Sequence, residues 1–250
     1  MLFLIALQFL TIIPISLRQV TDSMLARSML FFPVVGLLIG GIEALVFWGM
    51  HNFLSPSLIA LFLILIPIIL TGALHIEGFA DMMDGFAGGH NKNEILQVMR
   101  DSRIGAIGAI SVTILILAKF VLIKELIVEH IFGSTLPVER ILLVIFCLSR
   151  WAMVISAGMS RYARNSRIGR AFTELVDVRI VCLASIIPIV SAIILFKLCG
   201  LIWLSITLLL SFLVSRIASH KVGGITGDIL GGVNEIVEIV LLLSMIILIR

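Results

Sequence analysis

Charge is what this sequence lacks. Only 13% of its residues are Asp, Glu, Lys or Arg, about half the roughly 25% usual for soluble domains, while 60% are hydrophobic and the mean hydropathy is +1.23. That balance excludes a water-soluble globular protein and requires an integral membrane protein. Basic runs are missing as well: the formal charge is +3, spread among separate segments, which gives nucleic-acid binding no footing. Cysteine is sparse, and Cys147, Cys182 and Cys199 lie in or beside apolar blocks without ligand spacing, as small core residues do. The apolar start, residues 1–13, has no basic leader and no A-x-A cleavage site, so it reads as a retained, short interfacial or half-inserted helix ending near Pro14. A fixed-period repeat is also lacking.

What is present is a series of apolar blocks, at about 29–50, 54–74, 105–123, 141–159, 180–197, 200–215 and 231–249. Each approaches the ~20 residues that span a bilayer as a helix. Barrel strands would alternate over about ten residues, whereas these blocks are apolar all round. The expected fold is an all-α polytopic helical bundle of about seven spans, forming a single domain over residues 1–250. Sorting the intervening segments by side puts Arg18, Arg27, Lys92, Arg100, Arg103, Arg161, Arg164, Arg167, Arg170, Arg179, Arg216 and Lys221 on one face, and Lys124, Arg140, Lys197 and Arg250 on the other. The positive-inside rule assigns the first face to the cytoplasm. The segments richest in polar motifs, about 75–104 and 216–230, share that face.

The first of these contains Thr71-Gly-Ala-Leu-His-Ile-Glu-Gly-Phe-Ala-Asp-Met-Met-Asp-Gly-Phe-Ala-Gly-Gly-His90. On a helix, Glu77, Asp81 and Asp84 stand at i, i+4 and i+7, three carboxylates on one face. Acids this close repel unless a cation sits among them, and oxygen-rich sets suit Mg²⁺ or Mn²⁺, with substrate phosphates as further ligands. A merely solvated loop would not interleave its acids with Phe79, Met82, Met83 and Phe86, which pack one side of a helix. Gly88 and Gly89 permit backbone N–H groups to approach a phosphate. Asn91 and Glu94 have capping-box spacing, so a short helix over about 92–101 turns Ile95, Leu96, Val98 and Met99 inward and returns Arg100, Asp101 and Arg103 to the same site. Asp101 is then a further ligand or an orienting acid and Arg103 a phosphate clamp, with an ordinary surface ion pair as the plain alternative. His75 and His90 are candidate bases but read as hydrogen-bonding residues.

The second segment runs from Lys221 through Thr226, Asp228, Asn234 and Glu235 to Glu238. Acids at the mouth of a span are costly and point to function, which nominates Asp228, Asn234 and Glu235. Within the spans, Arg150 and Lys119 need an internal acid or a bound anion, and Glu43 is one such acid. The basic run Arg161–Arg170 reads as lipid contact or topology signal.

Five segments together resemble the cobalamin synthase family of membrane adenosylcobinamide-GDP ribazoletransferases: Leu7 to Pro14, Arg27 to Gly40, the G-x-A-D-x-x-D-G core Gly78–Gly85, Asp101-Ser-Arg-Ile-Gly105, and Gly223-Gly-Ile-Thr-Gly-Asp228 with Asn234-Glu235. The resemblance implies a Mg²⁺-dependent transfer in which α-ribazole or its 5′-phosphate attacks adenosylcobinamide-GDP and GMP leaves, in a bacterial or archaeal cytoplasmic (inner) membrane with the site facing the cytoplasm. On that frame Glu77, Asp81 and Asp84 hold metal, Asp101, Arg103 and Asp228 serve catalysis, and Gly88, Gly89, Arg100, Lys221, Thr226, Asn234 and Glu235 bind substrate. The bilayer and the two substrates are the implied partners, and a homo-oligomer or an association with other late cobamide-pathway enzymes is compatible with it. A CDP-alcohol phosphotransferase also uses acids on membrane helices, but Asp84-Gly85 is not followed by the Ala-Arg its motif needs. A transporter would place polar groups along a mid-membrane path and carry repeat symmetry.

Overall fold

The acidic motif lies just past an elbow in the chain. In the computed structural model, which describes residues 1–17, 19–131, 137–163, 172 and 175–249, α4 (Pro56–Thr71) and α5 (Leu74–Gly88) meet at 89°. The bend comes from two consecutive left-handed residues, Gly72 and Ala73, both at φ 60°. Gly72 tolerates that conformation without cost, whereas Ala73 does not, and left-handed non-glycine residues persist only where their surroundings hold them. The Ala73 N–H is held by the carbonyl of Ile68 at 2.8 Å, and the outgoing carbonyl of Leu70 accepts from Ile12 at 2.8 Å. The segment that follows the N-terminal helix α1 (Leu2–Leu10) is thereby tied to the elbow; the helix expected over the apolar start forms, ending with its C-cap at Thr11, short of Pro14.

From there α6 (Lys92–Val98) follows α5. Its start is the expected capping box: the Asn91 side chain accepts from the N–H groups of Asn93 and Glu94, and the Glu94 carboxylate accepts from the His90 N–H and the Asn91 amide. Ile95 and Met99 are buried under it, and Leu96 and Val98 half-buried. Chain entry is through α2 (Asp22–Ser28) and a 3₁₀ turn into α3 (Phe32–Met50); the later helices are α7 (Ala106–Ile131), α8 (Val138–Met159), α9 (Val178–Val222) and α10 (Gly227–Ile249). Arg18, Arg164, Arg167, Arg170 and Arg250, used above to assign sides, lie outside the described residues.

α8 is the axis of the bundle, buried over most of its length against α3, α9 and α10. Gly36 and Gly40, four apart on α3, bring that helix onto the backbone of α8: a Cβ on Gly40 would lie 2.6 Å from the Leu142 carbonyl oxygen. Close approach of small residues is how membrane helices gain packing where lipid offers no hydrophobic contrast. A single apolar core runs from α1 to α10.

Among the described residues five helical stretches are long and apolar enough to cross a membrane, or six if α4 and α5 count as one broken span. The seven blocks expected from hydropathy do not each appear as a separate helix. The blocks 180–197 and 200–215 fall in α9, 45 residues with a single non-helical residue, Lys197 (φ 51°, ψ −120°), inside it. In a straight helix residues 192 and 200 would stand ~12 Å apart. Here a Cβ on Gly200 would collide with the Ala192 carbonyl, and the Phe196 and Trp203 rings meet at 4.3 Å. The chain therefore folds back at Lys197. Among the described residues the only strand-like pairing is an isolated parallel bridge between Tyr162 and Ile225.

Candidate active site

Two glycines set the site. α5 and the start of α10 touch backbone to backbone: a Cβ on Gly78 would lie 2.8 Å from the Asp228 carbonyl oxygen and 3.0 Å from its Cα, and one on Gly231 would lie 3.1 Å from the His75 carbonyl oxygen. This contact carries Glu77 and Asp81, on either side of Gly78, to the acid that opens α10. Thr226 caps that helix by accepting from the Ile229 N–H, and its hydroxyl donates to Asp228 at 3.3 Å. An acid in the first turn of a helix is stabilised by the unpaired N–H groups there.

Glu77 and Asp81 form a wall shared by two cavities. One, of about 230 Å³, adds Asp228 and Thr226 from α10 and three aromatic residues, Phe9, Tyr162 and Phe172. The Phe9 and Phe172 rings stand 4.4 Å apart and both pack on the buried Phe32. Tyr162 is brought there by the bridge to Ile225: the Ile225 N–H donates to the Arg161 carbonyl at 2.8 Å and the Ala163 N–H to the Ile225 carbonyl at 2.9 Å. The other cavity, of about 390 Å³, adds Arg100, Asp101 and Ser102. The Asp101 carboxylate accepts from the Arg103 guanidinium at 2.7 and 3.0 Å and from the Arg103 N–H at 3.0 Å. This charge-assisted fork, foremost, and then the backbone donor hold its pKa down to about 2.

The remaining expected residues sit differently. Asp84, grouped with Glu77 and Asp81 by helical spacing, has both carboxylate oxygens engaged by backbone: Oδ2 accepts from the Gly105 N–H and Oδ1 from the Gly108 N–H, each at 2.7 Å. It anchors the first turn of α7, and the close fit leaves Gly105 no room for a side chain, since a Cβ there would lie 2.5 Å from Asp84 Oδ1. Among the described residues no set of three acidic, histidine or cysteine side chains is spaced to hold a metal alone. Arg103 is turned to solvent and grips Asp101. Lys221 donates to the Phe86 carbonyl and lies over the Phe86 ring. Gly88 is exposed with open space beside it, and Gly89 is pressed against the backbone of Ile95, so both serve the passage from α5 to α6.

Asn234 and Glu235 lie deeper, in a buried ion network. Lys119 donates to Glu235 at 2.5 Å and to Glu238 at 2.7 Å; Arg150 pairs with Glu238, which also accepts from Ser149 at 3.2 Å and Asn234 at 3.0 Å. Two cations thus face two acids, the compensation that charges in a span require. Glu43, expected as their partner, has no hydrogen bond to either carboxylate oxygen among the described residues; Glu235 and Glu238 take that part. None of Phe9, Tyr162 and Phe172 is singled out by the sequence: Phe9 lies in an apolar run and looks like core, while Tyr162 and Phe172 lie in and just past a basic run that reads as lipid contact or topology signal. Gly231, a small residue at the mouth of a span and so suited to close packing, meets Gly78, a pairing that depends on tertiary packing.

Comparison with known proteins follows this layout. Residues 2–246 match the family described as cobalamin-5-phosphate synthase. Proteins named adenosylcobinamide-GDP ribazoletransferase are similar over nearly their full length. That of Clostridium botulinum (strain 657 / Type Ba4) is 32% identical over 98% of this chain and 97% of its own. For Thermoanaerobacter pseudethanolicus the identity is 32%, over 97% and 95%; for Escherichia coli O157:H7 it is 31%, over 98% and 99%. No solved structure matches. With the motifs in order and the match covering nearly every residue, the chain belongs to the cobalamin-5-phosphate synthase family.

Proposed function

We propose that this membrane protein is an adenosylcobinamide-GDP ribazoletransferase. A hydroxyl of α-ribazole, or of its 5′-phosphate, forms a bond to the cobinamide-linked phosphorus, the bond from that phosphorus to the oxygen of GMP breaks, and the corrinoid leaves carrying its lower nucleotide. The observation that carries the reading is the shared acidic wall: Glu77 and Asp81 face two cavities at once, with Asp228 across one and Asp101 across the other.

The donor set fits Mg²⁺, which commonly takes only one or two protein carboxylates and completes its shell with water and substrate phosphates. Glu77 and Asp81 would hold it, and bound there it would neutralise pyrophosphate charge. Asp228, half-buried at the mouth of α10, orients the attacking hydroxyl and accepts its proton. Arg100 meets the phosphates from the other cavity, while Arg103 fixes Asp101. Asp84 acts on the site from behind, by fastening α7 to α5. Holding two reactants in register in this way supplies much of the rate that a bimolecular attack lacks.

The same reading gives the chain seven passages: α3, α4, α7, α8, the two arms of α9 and α10. The excess of basic residues orients the acidic wall toward the cytoplasm across a bacterial inner membrane. Purified protein given Mg²⁺, adenosylcobinamide-GDP and α-ribazole is expected to release GMP. Asp81→Asn and Asp228→Asn should lower that rate by about 10²-fold or more, the scale of a lost acid–base or ligand group, with melting temperature retained. Equal rates in the three proteins would refute the assignment.

A further inference from the structure

The two cavities differ in chemistry as well as size, and this assigns the substrates to sides. The smaller has three aromatic residues facing an acidic rim, and among the described residues its lining contains no Lys or Arg. Among the described residues the larger has no aromatic residue in its lining, and Arg100 is the one cation there. Resting on the transferase reading above, we infer that the Phe9–Tyr162–Phe172 wall is the subsite for the aromatic base of the nucleoside, and that the nucleotide tail of the corrinoid substrate enters from the Arg100 side.

An unsubstituted or methylated bicyclic base is flat, neutral and apolar on both faces, so it gains from aromatic surfaces and gains little from charge. At about 230 Å³ the smaller cavity falls just below the ~300–1,000 Å³ of drug-sized sites, which suits a base and its sugar and shuts out a corrinoid. With the base against Phe9 and Phe172, the sugar points to the opposite wall, where Asp228 and Thr226 meet Glu77 and Asp81. A diphosphate needs the reverse surroundings, a cation and open access, and finds them beside Arg100. The phosphorus then sits at the shared wall, approached by the hydroxyl from the aromatic side, with GMP departing on the opposite side. This is the in-line arrangement that displacement at phosphorus requires.

The wall is also built to keep its shape. Phe32, fully buried, backs both Phe9 and Phe172 at ring separations of 5.8 and 6.1 Å, and the main-chain bridge to Ile225 fixes Tyr162. The three residues come from α1, the segment after α8, and residue 172, so base recognition is separate in sequence from the acidic motifs.

The test measures GMP release by the full-length protein while each substrate is varied in turn, for wild type, Phe9→Leu, Phe172→Leu, Tyr162→Leu and Arg100→Gln, with equilibrium dialysis of α-ribazole as a second readout. Each Leu variant should raise the KM for α-ribazole about tenfold, the scale of one base–aromatic stack, and weaken its dialysis affinity equally, leaving the KM for adenosylcobinamide-GDP within about twofold. Phe9→Tyr should restore both values, and Arg100→Gln should move the other KM. Because Tyr162 is half-buried at the surface, its variant keeps the test open should a buried replacement fail to fold. Leu variants that change neither KM, both equally, or only that of adenosylcobinamide-GDP overturn the subsite. A wild type that releases no GMP from this pair overturns the transferase reading itself.

Discussion

Replacing Asp84 by Asn separates a metal ligand from a structural anchor. The Asp84 carboxylate receives two N–H groups at 2.7 Å from the first turn of α7, and hydrogen bonds to a charged acceptor contribute ~1.5–3 kcal/mol each. Asn keeps one oxygen and turns an NH₂ group toward the other N–H, so one bond is lost and a donor is left facing a donor. A loss of about 2 kcal/mol follows, within the range for removing a helix N-terminal acceptor. For a chain of this size that is a fall of roughly 4–8 °C in melting temperature, readable by thermal unfolding in detergent. Gly105→Ala should produce the same fall by pushing the carboxylate away. The Mg²⁺ concentration giving half-maximal GMP release should be unchanged in whatever fraction remains folded. An unchanged melting temperature together with a raised Mg²⁺ requirement would refute the anchor role and return Asp84 to the metal.

Gly78→Ala places a Cβ 2.8 Å from the Asp228 carbonyl oxygen, overpacking that costs about 1–3 kcal/mol and spreads the acids. Melting temperature and GMP release should both drop, while Gly49→Ala, with nothing within 4 Å, changes neither. Glu238→Gln leaves Arg150 buried without an acid and should destabilise by about 3–5 kcal/mol; adding Arg150→Met, which leaves Lys119 balanced by Glu235, should recover part of the loss, and strict additivity would contradict the network. Arg103→Ala should let the Asp101 carboxyl titrate upward from about 2 toward the usual ~3.9, observable by NMR of the labelled carboxyl carbon. The sign follows from the depressed value: whatever ordering the Asp101–Arg103 pair gives is complete above the ordinary carboxylate range and disappears as pH drops through about 2.

Much of the architecture was legible in the sequence because it rests on local rules. Apolar blocks became helices, Asn91 and Glu94 formed their cap, and the face carrying Glu77 and Asp81 met Asp228 from a segment some 150 residues away. The failures have physical causes. Helical spacing groups Asp84 with its neighbours, yet the unpaired N–H groups of α7 compete for it, and their position follows from how α7 packs on α5. The elbow depends on Ala73, a residue with no preference for left-handed backbone, held there by tertiary bonds. Hydropathy sees that Lys119 and Arg150 need acids but not which acids: Glu43 is a candidate by its place in a span, while Glu235 and Glu238 form the pairs. The break in α9 at Lys197, by contrast, falls on the boundary between the apolar blocks 180–197 and 200–215.

Because α5 and α10 meet main chain to main chain at Gly78 and Gly231, the gap between their acids is fixed by the skeleton of the protein and not by the reach of any side chain. If the transferase reading holds, exchanging the surrounding aromatic or basic residues would retune which nucleoside is accepted, while the distance across which phosphorus changes hands would stay the same.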